Sequence, residues 1–176
     1  MKALIILVPE GFRDEEFSIP KETLESNGIT VTVAGLRPGE AVGKLGMKAT
    51  PDIQVEDAKS DDYDAIIIPG GQGAERYLYR NPTVLKLVKE FNDKKKIVAS
   101  ICLGGGVLCN AGVLWGKKAT VFATPETMRT FTEKRVNYKG DGVFIDGNIV
   151  TASGPEYSQE FAEAIMVLLK DKKLIP

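Results

Sequence analysis

The stretch of this chain best equipped for chemistry runs from Lys96 to Gly106. There the apolar segment Ile97-Val98-Ala99-Ser100-Ile101 ends in Cys102-Leu103-Gly104-Gly105-Gly106, and apolar Val107 and Leu108 follow. Small Ser100 stands two residues before Cys102 and Gly104 two residues after it. This is the spacing of a nucleophile elbow. A buried strand enters a turn so tight that only small side chains fit at the flanking positions, and the strained backbone lifts the nucleophile above the sheet. The first amides of the following helix then point at the sulfur, where they favour a thiolate or a developing oxyanion. A second role stays open, because a free cysteine is also a small hydrophobe suited to a strand end.

What could activate Cys102 is limited by composition, since the chain contains no histidine. Cys-His and Ser-His-Asp activation are excluded, as are histidine-containing zinc sites, and two cysteines are too few for a four-cysteine site. No metal and no organic cofactor is expected. A general base has to be a carboxylate, a lysine, a tyrosine or water. Glu16 leads the candidates, in the first turn of the helix that follows the first strand. Protonated, it donates a hydrogen bond to a thiolate; ionised, it moves protons on a bound substrate. A pocket that excludes water raises its pKa and suits it to both tasks. Glu15 and Glu16 also fit a first turn simply by offsetting the helix dipole.

A third stretch, Pro69-Gly70-Gly71-Gln72-Gly73, follows a continuous apolar run. Glycines there let backbone amides approach a ligand, and the Gly71 and Leu103 N–H groups together could form an oxyanion hole. The same glycines suit a tight turn with positive φ. The pattern is not the dinucleotide fingerprint, and no Gly-Lys-Ser/Thr follows to cradle phosphates. Cys109 and Trp115 read as packing.

The elements that must position these residues follow from periodicity and turn signals. Lys2–Val8 reads as a fully buried strand because its apolar run does not alternate. Pro9–Arg13 reads as a loop. Asp14 is expected to cap a helix reaching about Asn27, with Phe17, Ile19 and Leu24 on its apolar face and a kink at Pro20. Asn27-Gly28 ends it. Ile29–Ala34 is a strand, Leu36–Met47 an excursion or hairpin, Ile53–Val55 a short strand, and Tyr63–Ile68 another buried strand. Asn81-Pro82 starts a helix over Pro82–Asn92. After the elbow helix and Gly112, a strand is expected at Ala119–Ala123 and a helix at Pro125–Phe131. Gly142–Ile145 and Ile149–Ala152 form a hairpin through Asp146-Gly147-Asn148. Pro155–Lys172 is a closing helix with Phe161, Ile165, Leu168 and Leu169 on one face. Alternating buried strands and helices give an α/β fold with a mostly parallel, doubly wound sheet and an added β-hairpin. In such sheets sites lie at the carboxyl ends of the strands, where all three stretches fall.

With 176 residues and no repeat or linker, the chain suits a single domain over 1–176. A net charge of −1 argues against a nucleic-acid or anionic-membrane partner. The lysines at 94–96 and at 170–173 read as solvated helix ends. Cys102 and Cys109, seven residues apart on one helix, stand about 10 Å from each other, too far for a disulfide. Free thiols are expected of a reducing cytoplasm. The apolar opening Ala3–Val8 is too short for a signal segment, and no stretch approaches spanning length.

Taken together, Glu15-Glu16 before Ile19-Pro20, Val31 to Leu36, Tyr63-Asp64 leading to Pro69-Gly70-Gly71, Ala99 to Gly104, and Gly154-Pro155 before the last helix resemble the ThiJ/PfpI superfamily along nearly the whole chain. The resemblance implies a flavodoxin-like three-layer sandwich that assembles as a homodimer or higher homo-oligomer. It places the elbow cysteine at Cys102, its glutamate at Glu16 and the glycine-loop amide at Gly71. It implies cofactor-free glyoxalase, deglycase, peptidase, chaperone or oxidation-sensing roles. The PfpI branch carries a histidine directly after the cysteine where this chain has Leu103, and many members carry histidine or tyrosine at the position of Phe122. These departures argue against an intracellular cysteine peptidase. The expected function is a glyoxalase- or deglycase-like reaction of Cys102 and Glu16 on a small α-oxoaldehyde such as methylglyoxal, steadied by the amides of Gly70, Gly71 and Leu103. The alternative is a redox sensor or chaperone built on an accessible, low-pKa Cys102.

Overall fold

The computed structural model describes residues 1–173. The chain runs β1 (Lys2–Leu7), β2 (Glu10–Phe12), α1 (Asp14–Ser26), β3 (Thr30–Gly35), β4 (Ala41–Gly43), β5 (Lys48–Ala49), β6 (Ile53–Gln54), β7 (Ala65–Ile68), α2 (Gln72–Leu78), α3 (Pro82–Asp93), β8 (Ile97–Ile101), α4 (Gly105–Asn110), β9 (Lys118–Ala119), α5 (Pro125–Glu133), β10 (Asn137–Tyr138), β11 (Val143–Asp146), β12 (Ile149–Ala152) and α6 (Ser158–Lys173). Seven strands form the main sheet in the order β11-β12-β8-β7-β1-β3-β6. All its pairings are parallel except β11 with β12. The expected doubly wound α/β sandwich with an added hairpin is what forms.

Every residue of β1 after Lys2 is buried, as is all of β7 and β8. Strands with no polar face need helices on both sides of the sheet. The crossover β1-α1-β3 moves one way along the sheet and β7-α3-β8 moves the other. Right-handed connections therefore put α1 and α3 on opposite faces. The direction of winding reverses between β1 and β7, and a crevice opens at the carboxyl ends of the strands on either side of such a reversal. Among the described residues no helix is long and apolar enough to cross a membrane.

Several local expectations are corrected. Pro9–Arg13 is not simply a loop: it holds β2, which pairs with β4, and the hairpin expected before Met47 is β4-β5, closing at Lys48–Ala49. Helix α2 occupies 72–78, where the glycines had pointed to a loop. The hairpin turn is Gly147-Asn148, with Asp146 opposite Ile149. The closing helix begins as a tight turn at Pro155–Tyr157 before α6. The strand expected at Ala119–Ala123 stops at Ala119. Beyond it, backbone donors are drawn elsewhere: Thr120 N–H to Thr151 Oγ1 at 3.0 Å and Phe122 N–H to the Cys102 carbonyl at 3.2 Å. Lys94 and Lys96 are not merely solvated. Lys94 Nζ donates to Ser60 Oγ and Asp61 Oδ1, both at 2.7 Å, and Lys96 Nζ to the Ser60 and Tyr63 carbonyls, both at 2.6 Å.

Asp14 is not the helix cap. Arg13 holds that position without a side-chain bond, and Asp14 is the first residue of α1. Its buried carboxylate accepts the N–H groups of Leu45 at 3.1 Å and Met47 at 2.9 Å, pinning the β4-β5 turn to the start of α1. Asp14→Ala strands both amides and is expected to lower stability by about 1–3 kcal/mol, read from urea unfolding midpoints. Asp14→Asn, which keeps a carbonyl acceptor, should lose less.

Candidate functional site

After β8 the chain makes one tight turn, Cys102–Gly104, and enters α4 at Gly105. Cys102 has φ of +56°, a left-handed conformation that costs a non-glycine residue roughly 1–2 kcal/mol. Surrounding contacts hold it there. The Cys102 carbonyl accepts from Phe122 N–H at 3.2 Å, and the Leu103 carbonyl accepts from the buried Tyr79 hydroxyl at 2.6 Å. A peptide unit is planar, so tying down the Cys102 carbonyl also aims the Leu103 N–H of the same unit.

The turn after β7 lies directly against this elbow. Strands β7 and β8 are in register through Ile68 and Ser100, so their ends run out side by side. A Cβ on Gly70 would stand 2.7 Å from the Ile101 oxygen and 2.8 Å from the Leu103 nitrogen, and one on Gly104 would overlap the Ile68 carbonyl. Both positions are glycine because backbone fills the space on the other side. In this arrangement the N–H groups of Leu103 and Gly71 face the Cys102 sulfur and favour its thiolate.

Glu16 comes from the first turn of α1 and is fully buried. Neither carboxyl oxygen has a hydrogen-bond partner among the described residues. The Cys102 thiol, the Arg13 guanidinium and the Gly70 amide act on it at longer range and favour its ionised form, but burial outweighs them and pushes its pKa up to about 8. Burial likewise pushes the Cys102 thiol up to about 12; an ionised Glu16 adds to the rise, and the Leu103 and Gly71 amides oppose it. At pH 7 both groups hold their protons. Cys102 is 8% exposed, and its thiol reaches solvent only through the cavity over it.

A cavity of about 290 Å3 opens over the sulfur. Cys102, Leu103 and Gly71 line it; Glu16 and Gly70 do not. Gly70, expected among the substrate-binding amides, lies outside that lining, and its amide acts on Glu16. Glu16 sits behind the thiol. Sequence reasoning missed Arg13, Lys44 and Glu75 in the lining, and it missed Tyr79 beneath the elbow. Those residues lie on stretches read as loop or left unassigned, and no local pattern marks them. Phe122, noted for its position, also borders the cavity. Cys109 is buried, with its thiol directed at the Thr130 carbonyl 3.7 Å away, and both cysteines are free. Among the described residues no group of three histidine, cysteine or acidic side chains could hold a metal.

The buried acid makes a prediction of definite sign. Between pH 4.5 and 8 the folded chain holds the Glu16 proton that the unfolded chain has released, so stability falls as pH rises through that range, by up to roughly 1.4 kcal/mol per unit. Glu16→Gln removes this penalty. It is expected to raise Tm by several degrees at pH 8 and by much less at pH 5, measured by calorimetry at both.

Comparison with known proteins agrees with this fold. The chain is 43% identical over 165 residues to an uncharacterized protein of Methanocaldococcus jannaschii, covering 94% of this chain and 80% of the relative. It is 31% identical over 167 residues to a protein of Pyrococcus abyssi named a deglycase, covering 95% and 99%. The crystal structure of a ThiJ/PfpI domain protein from Brachyspira murdochii superposes with a TM-score of 0.91 at 30% identity, covering 97% of this chain and 96% of that one. The family described as DJ-1/PfpI matches residues 1–168. A match of that extent makes this chain a member of the DJ-1/PfpI family.

Proposed function

We propose that the protein is a cofactor-free enzyme that converts small α-oxoaldehydes, such as methylglyoxal, to α-hydroxy acids through Cys102 and Glu16. The observation that carries this reading is a fully buried carboxyl, its pKa pushed up by burial, beside an elbow thiol in a chain without histidine. A similar protein named a deglycase adds support. A cysteine peptidase would need an imidazole beside the thiol, and this chain has no histidine.

Ionised Glu16 takes the Cys102 proton as Sγ bonds to the aldehyde carbon. The aldehyde oxygen becomes an alkoxide, which the Leu103 and Gly71 N–H groups steady and which Glu16 then protonates to a hemithioacetal. Glu16, ionised again, removes the hydrogen from that carbon as a proton. The bonding pair moves toward the neighbouring ketone and forms an enediolate. Glu16 returns the proton to the second carbon while the hemithioacetal hydroxyl proton passes to its oxygen, leaving a thioester. Water cleaves the thioester, releasing the hydroxy acid and restoring the thiol. The aldehyde carbon is oxidised and the ketone carbon reduced within one molecule, so no external electron acceptor is used. The carboxyl lies outside the cavity, so it meets the substrate only after the carbon is bonded to sulfur.

Methylglyoxal-to-lactate conversion is the direct test. Wild type should be active, Cys102→Ala inactive, and Glu16→Gln slower by about 100-fold or more; equal rates in all three end the proposal. Because ionised Glu16 is the base, kcat/KM should climb with pH and level off above about 8, and the residual rate of Glu16→Gln should lack that inflection.

A further inference from the structure

The walls of the Cys102 cavity are not neutral. Lys44 and Arg13 both border it, and Glu75 is the only carboxylate that does. Both cations stand on pinned backbone. Arg13 N–H donates to the Gly70 carbonyl at 3.1 Å and Lys44 N–H to the Phe12 carbonyl at 2.8 Å. The turn that follows Lys44 is held by Asp14 through Leu45 and Met47. The two cations differ in what they have left to offer. Arg13 commits Nε to Glu15 at 2.6 Å, with a second, longer contact at 3.4 Å. Lys44 has no acidic partner within 4.0 Å among the described residues. Glu75, the opposing charge, lies beside Glu126, and burial together with that neighbour raises its pKa. The cavity is also larger than a three-carbon oxoaldehyde fills.

We propose that the cavity over Cys102 selects electrophiles carrying an anionic group, which Lys44 holds with help from Arg13; resting on the reading above, the preferred substrates are α-oxoaldehydes that end in a carboxylate or phosphate rather than methylglyoxal itself. The aldehyde carbon meets Sγ at the floor while the anionic end stays at the rim beside Lys44. One ammonium at about 4 Å in solvent-like surroundings favours an anion about fivefold, and salt weakens the effect.

Alkylation of the intact protein tests the electrostatics without calling on turnover. At pH 7 the rates at which iodoacetate and iodoacetamide modify Cys102 are measured by peptide mass spectrometry, with mercaptoethanol as the uncharged reference thiol. The iodoacetate-to-iodoacetamide ratio at Cys102 should exceed the reference ratio about fivefold. It should fall by about that factor in Lys44→Gln, and fall toward the reference in about 1 M salt. A ratio at or below the reference in wild type, or one that Lys44→Gln leaves unmoved, overturns the proposal. Kinetics then separate it from the glyoxalase reading. Dioxovalerate, an α-oxoaldehyde ending in a carboxylate, should be converted with a higher kcat/KM than methylglyoxal, and Lys44→Gln should shrink that ratio. Conversion of methylglyoxal with no advantage for dioxovalerate overturns the substrate class and leaves the glyoxalase reading standing. An iodoacetate preference with neither aldehyde converted overturns the glyoxalase reading and supports the anion-selecting cavity.

Discussion

Backbone meets backbone between the turn that follows β7 and the turn that follows β8, and no side chain fits between them. A Cβ on Gly70 would press on Ile101 and Leu103, and one on Gly104 would press on Ile68. This contact exists because β7 and β8 are adjacent and in register through Ile68 and Ser100. It holds Cys102 in a left-handed conformation that a cysteine does not adopt unforced, and it brings the Gly71 and Leu103 amides to the same sulfur. Phe122 and Tyr79 lock the arrangement from the opposite side through the Cys102 and Leu103 carbonyls. The strand expected at 119–123 gives way for the same reason, since the Phe122 N–H cannot serve both the elbow and a sheet ladder.

Burial sets the chemistry. Most catalytic thiols are activated by a nearby positive imidazole; here the partner is an acid with no hydrogen bond of its own. An uncompensated carboxylate in that position is costly, so Glu16 keeps its proton to about pH 8 and Cys102 keeps its own further still. Both members of the pair are therefore protonated at neutral pH. Glu16 also stands behind the sulfur. Cys102 lines the cavity and Glu16 does not, so the thiol is the group of the pair that the cavity exposes.

Much of the framework was legible in the chain because its signals are local. Unbroken apolar runs marked β1, β7 and β8 as two-sided buried strands, and Asn81-Pro82 marked the start of α3. Ser100-x-Cys102-x-Gly104 marked a strand-to-helix turn, because the residue types that such a turn calls for stand within five residues of one another. The misread stretches are those whose hydrogen bonds leave the segment. Helix α2 begins among glycines that belong to a long-range contact. Strand β2 exists only through β4, thirty residues on. Asp14 has the right residue type to cap a helix, yet it spends its carboxylate on Leu45 and Met47.

The sequence by itself determined that the sheet is parallel and covered on both faces, that the residue at the elbow is a cysteine, and that no histidine stands beside it. Those conclusions need only residue types and their spacing. The tertiary structure alone decided that Glu16 is fully buried against that thiol, that Gly70 lies outside the cavity lining, and that Lys44 and Arg13 border the cavity. Desolvation depends on everything packed around a group, and proximity across the crevice depends on strands far apart in the chain. Neither quantity is written in any single stretch of residues.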